Sequence, residues 1–123
     1  MKPKAPHIEK GEAGERIAAE YLETKGYRIV ARNFRAGKGE IDLIAWQNDK
    51  LLVFFEVKTR SNDHFGGPEE AVTLKKQKLL INTAGTYMEQ IGYDWAVRFD
   101  VIAILMKDDT VLELRHHEDA FFS

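Results

Sequence analysis

The sequence predicts one α/β domain, with two principal helices packed on a mixed five-stranded sheet in the order αβββαββ. Three observations carry that prediction. Two segments repeat apolar residues at helical spacing, and five short runs, alternating or wholly apolar, are bounded by turn residues. A length of 123 residues suits one core and not two. Hydrophobic residues at 44% and charged residues at 31% exclude a disordered or collagen-like chain.

Residues 1–10 are polar, contain Pro3 and Pro6, and read as a flexible N-terminal tail, which leaves 11–123 as the domain. From Gly11 to Lys25, the residues Ile17, Ala18, Tyr21 and Leu22 form the stripe of an amphipathic helix. Gly26 suits the position just past its end. Tyr27 to Phe34 reads as a strand carrying Arg28 and Arg32, with Arg35 just beyond it, and Ala36 to Gly39 as a turn. Ile41 to Trp46 is a second strand and Gln47 to Lys50 a turn. Leu51 to Thr59 is a third strand, apolar on both faces and therefore central. After a polar loop from Ser61 to Gly67, Pro68 suits the first helical position, with Glu69 and Glu70 in the first turn. That helix is expected to run to about Gln90, before Gly92, burying Val72, Leu79, Leu80, Ala84, Tyr87, Met88 and Ile91. Lys75, Lys78 and Asn82 lie on another face. Trp95 to Met106 and Val111 to Arg115 complete the sheet, with Trp46, Trp95 and Phe99 expected in the core and His116 and His117 at its surface or edge. Asp100 shares a side with Arg98 and is expected to pair with it or brace a loop.

The chain has no cysteine, so disulfides and thiolate metal sites are excluded. No apolar run approaches the ~20 residues of a membrane helix, and no secretory signal is visible, so the expectation is a cytoplasmic protein without membrane contact. A net charge of −2 argues against bulk polyanion binding, but the charge is uneven. Lys25 to Glu40 holds five bases and one acid, whereas five acids and two bases follow from Lys107 onward. A mild basic face of this kind permits local phosphate contact.

The candidate chemistry begins with polar residues in the apolar third strand. Glu56 and Lys58 flank Val57 and share one face, a costly placement in a central strand unless it serves a task. Glu40 and Asp42 share one face of the strand before it. The hairpin register decides whether the acids meet. A two-residue loop at Asn48-Asp49 sets Asp42 opposite Phe55; a three-residue loop from Asn48 to Lys50 sets Asp42 opposite Glu56 and Glu40 opposite Lys58. Opposed Cβ atoms lie ~5 Å apart, and carboxylates that close repel unless a cation or proton sits between them. A hard divalent metal fits, Mg²⁺ first and Mn²⁺ as a substitute, with the Val57 carbonyl as a further ligand and Lys58 facing the reacting phosphate. The alternative is a structural Glu56–Lys58 salt bridge.

Asp42 followed by Glu56-Val57-Lys58 resembles the core of the PD-(D/E)-X-K nuclease superfamily. Residues 39–45, Gly-Glu-Ile-Asp-Leu-Ile-Ala, and 55–60, Phe-Glu-Val-Lys-Thr-Arg, resemble the YraN-like bacterial proteins. These are described as predicted endonucleases distantly similar to archaeal Holliday junction resolvases. Gly11 to Arg16 resembles the resolvase helix that carries an extra active-site Glu, here Glu15; the local reading of Glu15 is a solvated acid. The resemblance covers about Gly11 to Phe122, with Ile41 standing where the superfamily name has Pro. It implies a restriction-endonuclease-like α/β sandwich and a metal-dependent endonuclease acting on branched, flapped or damaged DNA. A non-catalytic DNA-binding module of the same fold is the alternative. Arg28, Arg32 and Arg60 are the expected phosphate contacts, since Arg binds phosphate bidentately, with Lys75 and Lys78 as further candidates. Monomer and homodimer both stay open. The tail Ala120-Phe121-Phe122 is expected to pack back on its own sheet.

Overall fold

The computed structural model describes residues 6–61 and 72–121. In chain order it holds α1 (Pro6–Thr24), β1 (Arg28–Ala36), β2 (Gly39–Asn48), β3 (Leu51–Arg60), α2 (Leu74–Ile91), β4 (Val97–Lys107) and β5 (Thr110–His117). The strands lie side by side in the order β1-β2-β3-β4-β5. All neighbours are antiparallel except β3 and β4, which run parallel because α2 intervenes. This is the expected αβββαββ sandwich of restriction-endonuclease-like fold.

β3 is central and apolar on both faces because a helix covers each. Val53 and Phe55 pack with Ala18, Ala19 and Leu22 of α1. Leu52 and Phe54 pack with Leu80 and Ala84 of α2. Each large side chain removed from water in this way contributes about 1.5–3 kcal/mol. α1 stops where Gly26 adopts φ 91°, and the Tyr27 amide donates back to the Leu22 carbonyl at 2.9 Å.

Several sequence expectations are corrected. α1 begins at Pro6 rather than Gly11, so residues 6–10 are its first turns and not part of a tail; Pro suits a first helical position. Residues 1–5 lie outside the described residues. α2 begins at Leu74, not Pro68, because Thr73 caps it: its φ of −68° and ψ of 163° are extended, and its side chain accepts from the Lys76 amide. Pro68, Glu69 and Glu70 lie outside the described residues. Val72 is buried but precedes the helix, while Leu79 and Ile91 are exposed, since the buried row of α2 runs through Leu80, Thr83 and Ala84. Trp95 is 81% exposed, because β4 starts only at Val97 and Tyr93 is the ring that packs edge-on against Trp46, at 5.0 Å. Phe99 is buried as expected.

The tail does pack back. The Ala120 amide donates to the Phe99 carbonyl at 2.8 Å, and Phe121 stacks on the Phe99 ring at 5.5 Å. Phe122 lies outside the described residues. His116 is not at the surface: its side chain is 8% exposed and its Nε2 stands 2.8 Å from Asp100 Oδ2. Asp100, wholly buried, pairs with Arg98 through Nε and Nη2, both at 2.8 Å, and also braces the loop by accepting from the Asp119 amide at 3.0 Å. Tyr27 and Tyr21 extend the network, through Arg98 at 2.7 Å and His116 at 3.1 Å respectively.

Candidate carboxylate and lysine site

The β2–β3 hairpin decides the site. Leu43 pairs with Phe55, Ile44 with Phe54, Ala45 with Val53 and Trp46 with Leu52, and the register then shifts so that Asn48 pairs with Leu51. Continued past Leu43, that register sets Asp42 opposite Glu56. It is the alternative expected of the three-residue loop, reached by a different route: a tight turn at Asp49-Lys50 with Gln47 as a bulge. The Lys50 amide donates to Asn48 Oδ1 at 2.8 Å and closes the turn.

Regular β2–β3 pairing ends at Leu43–Phe55, and beyond it Asp42 Oδ2 accepts from the Val57 amide at 2.7 Å. Asp42 is half-buried. Burial, then the charge of Glu56, raise its pKa from the ordinary value to about 7, against the opposing Val57 bond, with Glu15 and Glu40 adding to the rise. Four acids thus share one neighbourhood, and one of them is close to holding a proton at neutral pH.

Glu15 comes from α1. Gly14 makes its approach possible: a Cβ there would stand 2.0 Å from Thr59 Oγ1, so only glycine lets the helix lie against the end of β3 beside Lys58. Burial raises the Glu15 pKa, opposed by a hydrogen bond from Asn33 and reinforced by Glu40, Glu12 and Glu56. With its amide nitrogen turned to the acids, Asn33 donates to Glu15 Oε1 at 3.0 Å and to Glu40 Oε2 at 3.2 Å. Glu40 does not meet Lys58; its cross-strand partner is Arg35, whose Nε stands 3.4 Å away.

Glu56 has the opposite surroundings. Its side chain is 8% exposed, and its Oε2 receives Lys58 Nζ at 3.2 Å and Lys76 Nζ at 2.6 Å. Lys76 was missed by the sequence reading, which singled out its neighbours Lys75 and Lys78. Burial, then the neighbouring Lys76, lower the Lys58 pKa despite Glu56. Burial alone would lower the Lys76 pKa, but its bond to the Glu56 carboxylate and that group's charge outweigh it and raise it.

The structure brings together Glu15, Asp42, Glu56, Val57 and Lys58. It leaves Arg28, Arg32, Arg60, Lys75 and Lys78 exposed. Arg32 pairs with Leu43, next to Asp42, and Arg60 is two residues beyond Lys58. Arg28 pairs with Trp46, about 13 Å along the strand from Asp42, and borders the site least. Among the described residues, no three His, Cys, Asp or Glu side chains already converge to hold a metal ion. The physical reason is that Glu56 is held by two lysines and Asp42 by an amide. The donor chemistry nevertheless suits a hard divalent cation: two carboxylates opposed on a hairpin, a backbone carbonyl between Glu56 and Lys58, and a further acid from α1.

Fold and site define a restriction-endonuclease-like α/β protein with a carboxylate–lysine cluster beside its central strand. Residues 14–104 match the uncharacterised protein family UPF0102. A UPF0102 protein of Phocaeicola vulgatus is 44% identical over 118 residues, covering 96% of each chain. One of Geotalea daltonii is 49% identical over 112 residues, covering 90% of this chain and 87% of the other. The chain belongs to UPF0102, the YraN-like family. Among solved structures, the structure of Pyrococcus furiosus SfsA in complex with Ca²⁺ overlays with a TM-score of 0.36 and 14% identity. That overlay covers 91% of this chain but only 63% of the other. No helix among the described residues is long and apolar enough to cross a membrane.

Proposed function

We propose that this chain is a metal-dependent endonuclease hydrolysing DNA phosphodiester bonds, selective for branched, flapped or damaged DNA. One observation supports it above the others. The hairpin register sets Asp42 opposite Glu56, and burial and repulsion then push the Asp42 carboxyl to about 7. A protein gains nothing from keeping acids so unfavourably close unless a cation relieves them.

Asp42, Glu56 and the Val57 carbonyl would hold the cation, with Mg²⁺ the natural choice and Mn²⁺ a substitute. When bound, a divalent cation supplies the positive charge that polarises the phosphate and makes water a stronger acid. Lys58 stands beside Glu56 and stabilises the charge that grows on the phosphate. Glu15, across from Asp42, orients the attacking water. Arg32 and Arg60 flank these groups and grip neighbouring phosphates, with Lys75, Lys78 and Arg28 as outer contacts.

The test is cleavage of supercoiled plasmid and of a labelled four-way junction in Mg²⁺, Mn²⁺ or EDTA, for wild type and Glu56→Gln. Cleavage that needs the metal and is lost in Glu56→Gln supports the reading. Metal-independent cleavage, or full activity in Glu56→Gln, overturns it. DNA binding with no cutting under any metal leaves the non-catalytic module.

A further inference from the structure

Glu56 Oε2 carries one ammonium more than its charge requires. Lys58 Nζ stands 3.2 Å away and Lys76 Nζ 2.6 Å away, while the opposed Asp42 has the Val57 amide. One lysine neutralises one carboxylate; a second on the same oxygen adds ammonium–ammonium repulsion. The two lysines are not equivalent. Lys58 belongs to β3 itself, with a side chain 19% exposed, and has nowhere to go. Lys76 reaches in from the first turn of α2, is 38% exposed, and can swing out on a long flexible stem. Its base is fixed all the same. It lies four residues before Leu80 and eight before Ala84, both buried, and the Thr73 cap receives its amide at 3.2 Å.

Resting on the nuclease reading above, we infer that Lys76 is a displaceable counter-ion of Glu56. It holds that carboxylate while the site is without a divalent cation, leaves it when the cation is held, and then meets a DNA phosphate. The same oxygen serves Lys76 and the cation in turn, so the two compete. The same ammonium serves Glu56 and the phosphate in turn, so cation uptake and DNA contact are coupled. Removing Lys76 therefore acts with opposite sign on the two steps, which a merely structural lysine does not.

The experiment uses the full chain as wild type, Lys76→Ala, Lys76→Gln and Lys76→Arg. Mn²⁺ affinity is measured calorimetrically without DNA, and cleavage is measured in single turnover at saturating Mn²⁺. Lys76→Ala and Lys76→Gln should bind Mn²⁺ about tenfold tighter, since a competing unit charge is gone, and should cut about tenfold more slowly. Lys76→Arg should stay within about threefold of wild type in both, because its charge remains. Unchanged or weaker Mn²⁺ binding in both neutral variants overturns the inference, as does unchanged cleavage at saturation. These results are separable from failure of the function itself. A wild type that takes up no Mn²⁺ and leaves DNA intact removes the nuclease reading and the inference with it. A wild type that binds and cuts, matched in both by Lys76→Ala, removes the inference alone.

Discussion

Asp42 and Asp100 are both aspartates of the sheet drawn away from water, and the deeper one is the more comfortable. Asp100 is fully buried, yet Arg98, His116 and the Asp119 amide all bond its carboxylate. Burial alone would raise its pKa, but the His116 and Arg98 bonds outweigh it and hold it below the usual value. Asp42 is only half-buried, with one amide bond and three acids for neighbours, and its pKa rises to about 7. The lesson is that burial does not decide the state of a carboxylate; the groups that meet it do. The satisfied buried acid is part of the scaffold, and the less satisfied one is where the proposed cation would bind.

The largest expected effect is on catalysis. Asp42→Asn, Glu56→Gln and Lys58→Ala should each slow cleavage more than about a hundredfold without unfolding the chain. Asp42→Asn should also raise apo thermal stability slightly by relieving repulsion. If Asp42→Asn cuts at the wild-type rate, the contrast with Asp100 loses its functional half.

Stability sharpens the other half. Breaking the Arg98–Asp100 pair with Arg98→Met leaves a buried carboxylate short of partners and should cost about 3–5 kcal/mol in urea unfolding. A loss below about 1 kcal/mol would mean that Asp100 is no better satisfied than Asp42.

The two acids also predict opposite pH slopes for the metal-free protein. The raised pKa of Asp42 means its favourable contribution is complete below about 4 and is lost as pH climbs through about 7. The lowered pKa of Asp100 means its contribution is present above the unfolded value and is lost only as acid reaches its folded value. Stability should therefore fall from pH 5 to pH 8, and Asp42→Asn should flatten that slope. An unchanged slope in the variant would place the titration elsewhere.

Smaller effects test the periphery. Glu15→Gln should cost about tenfold in rate, as a group acting beside the metal ligands rather than as one of them. Neutralising Arg60 should weaken DNA binding and lower the salt slope by about one unit, whereas Arg28, farther along β1, should change it less. Equal effects from Arg28 and Arg60 would contradict the distances in the sheet.

Much of the contrast was legible in the sequence. The strands showed as apolar runs between turns, and the Asp42–Glu56 opposition followed from hairpin arithmetic once the register was fixed. What fixed it was a bulge at Gln47, an extra residue that counting loop lengths between two regular strands does not place. Asn33 was missed although the tight turn pairing Ala36 with Gly39 places it across from Asp42 by the same arithmetic. Lys76 was missed although its four- and eight-residue spacing from Leu80 and Ala84, both expected in the core, already put it on the buried row; a lysine interrupts an apolar stripe and reads as a solvated side chain unless its carboxylate partner, Glu56 on β3, is known. His116 was read as an edge residue because its partner, Asp100, is sixteen residues away on the neighbouring strand.

The strands lie in space in the order in which the chain makes them, and only one connection, through α2, joins parallel neighbours. Asp42 and Glu56 therefore belong to a hairpin that closes locally, whereas Lys76 arrives with the crossover and β4 pairs later across a long loop. The acidic pair is assembled with Lys58 already on β3 but before the second lysine reaches Glu56. During folding the hairpin passes through a stage in which Glu56 lacks Lys76, so low ionic strength should slow folding and added Mg²⁺ should speed it. Pulse-labelled hydrogen exchange that protects β4 before the β2–β3 hairpin would refute this order.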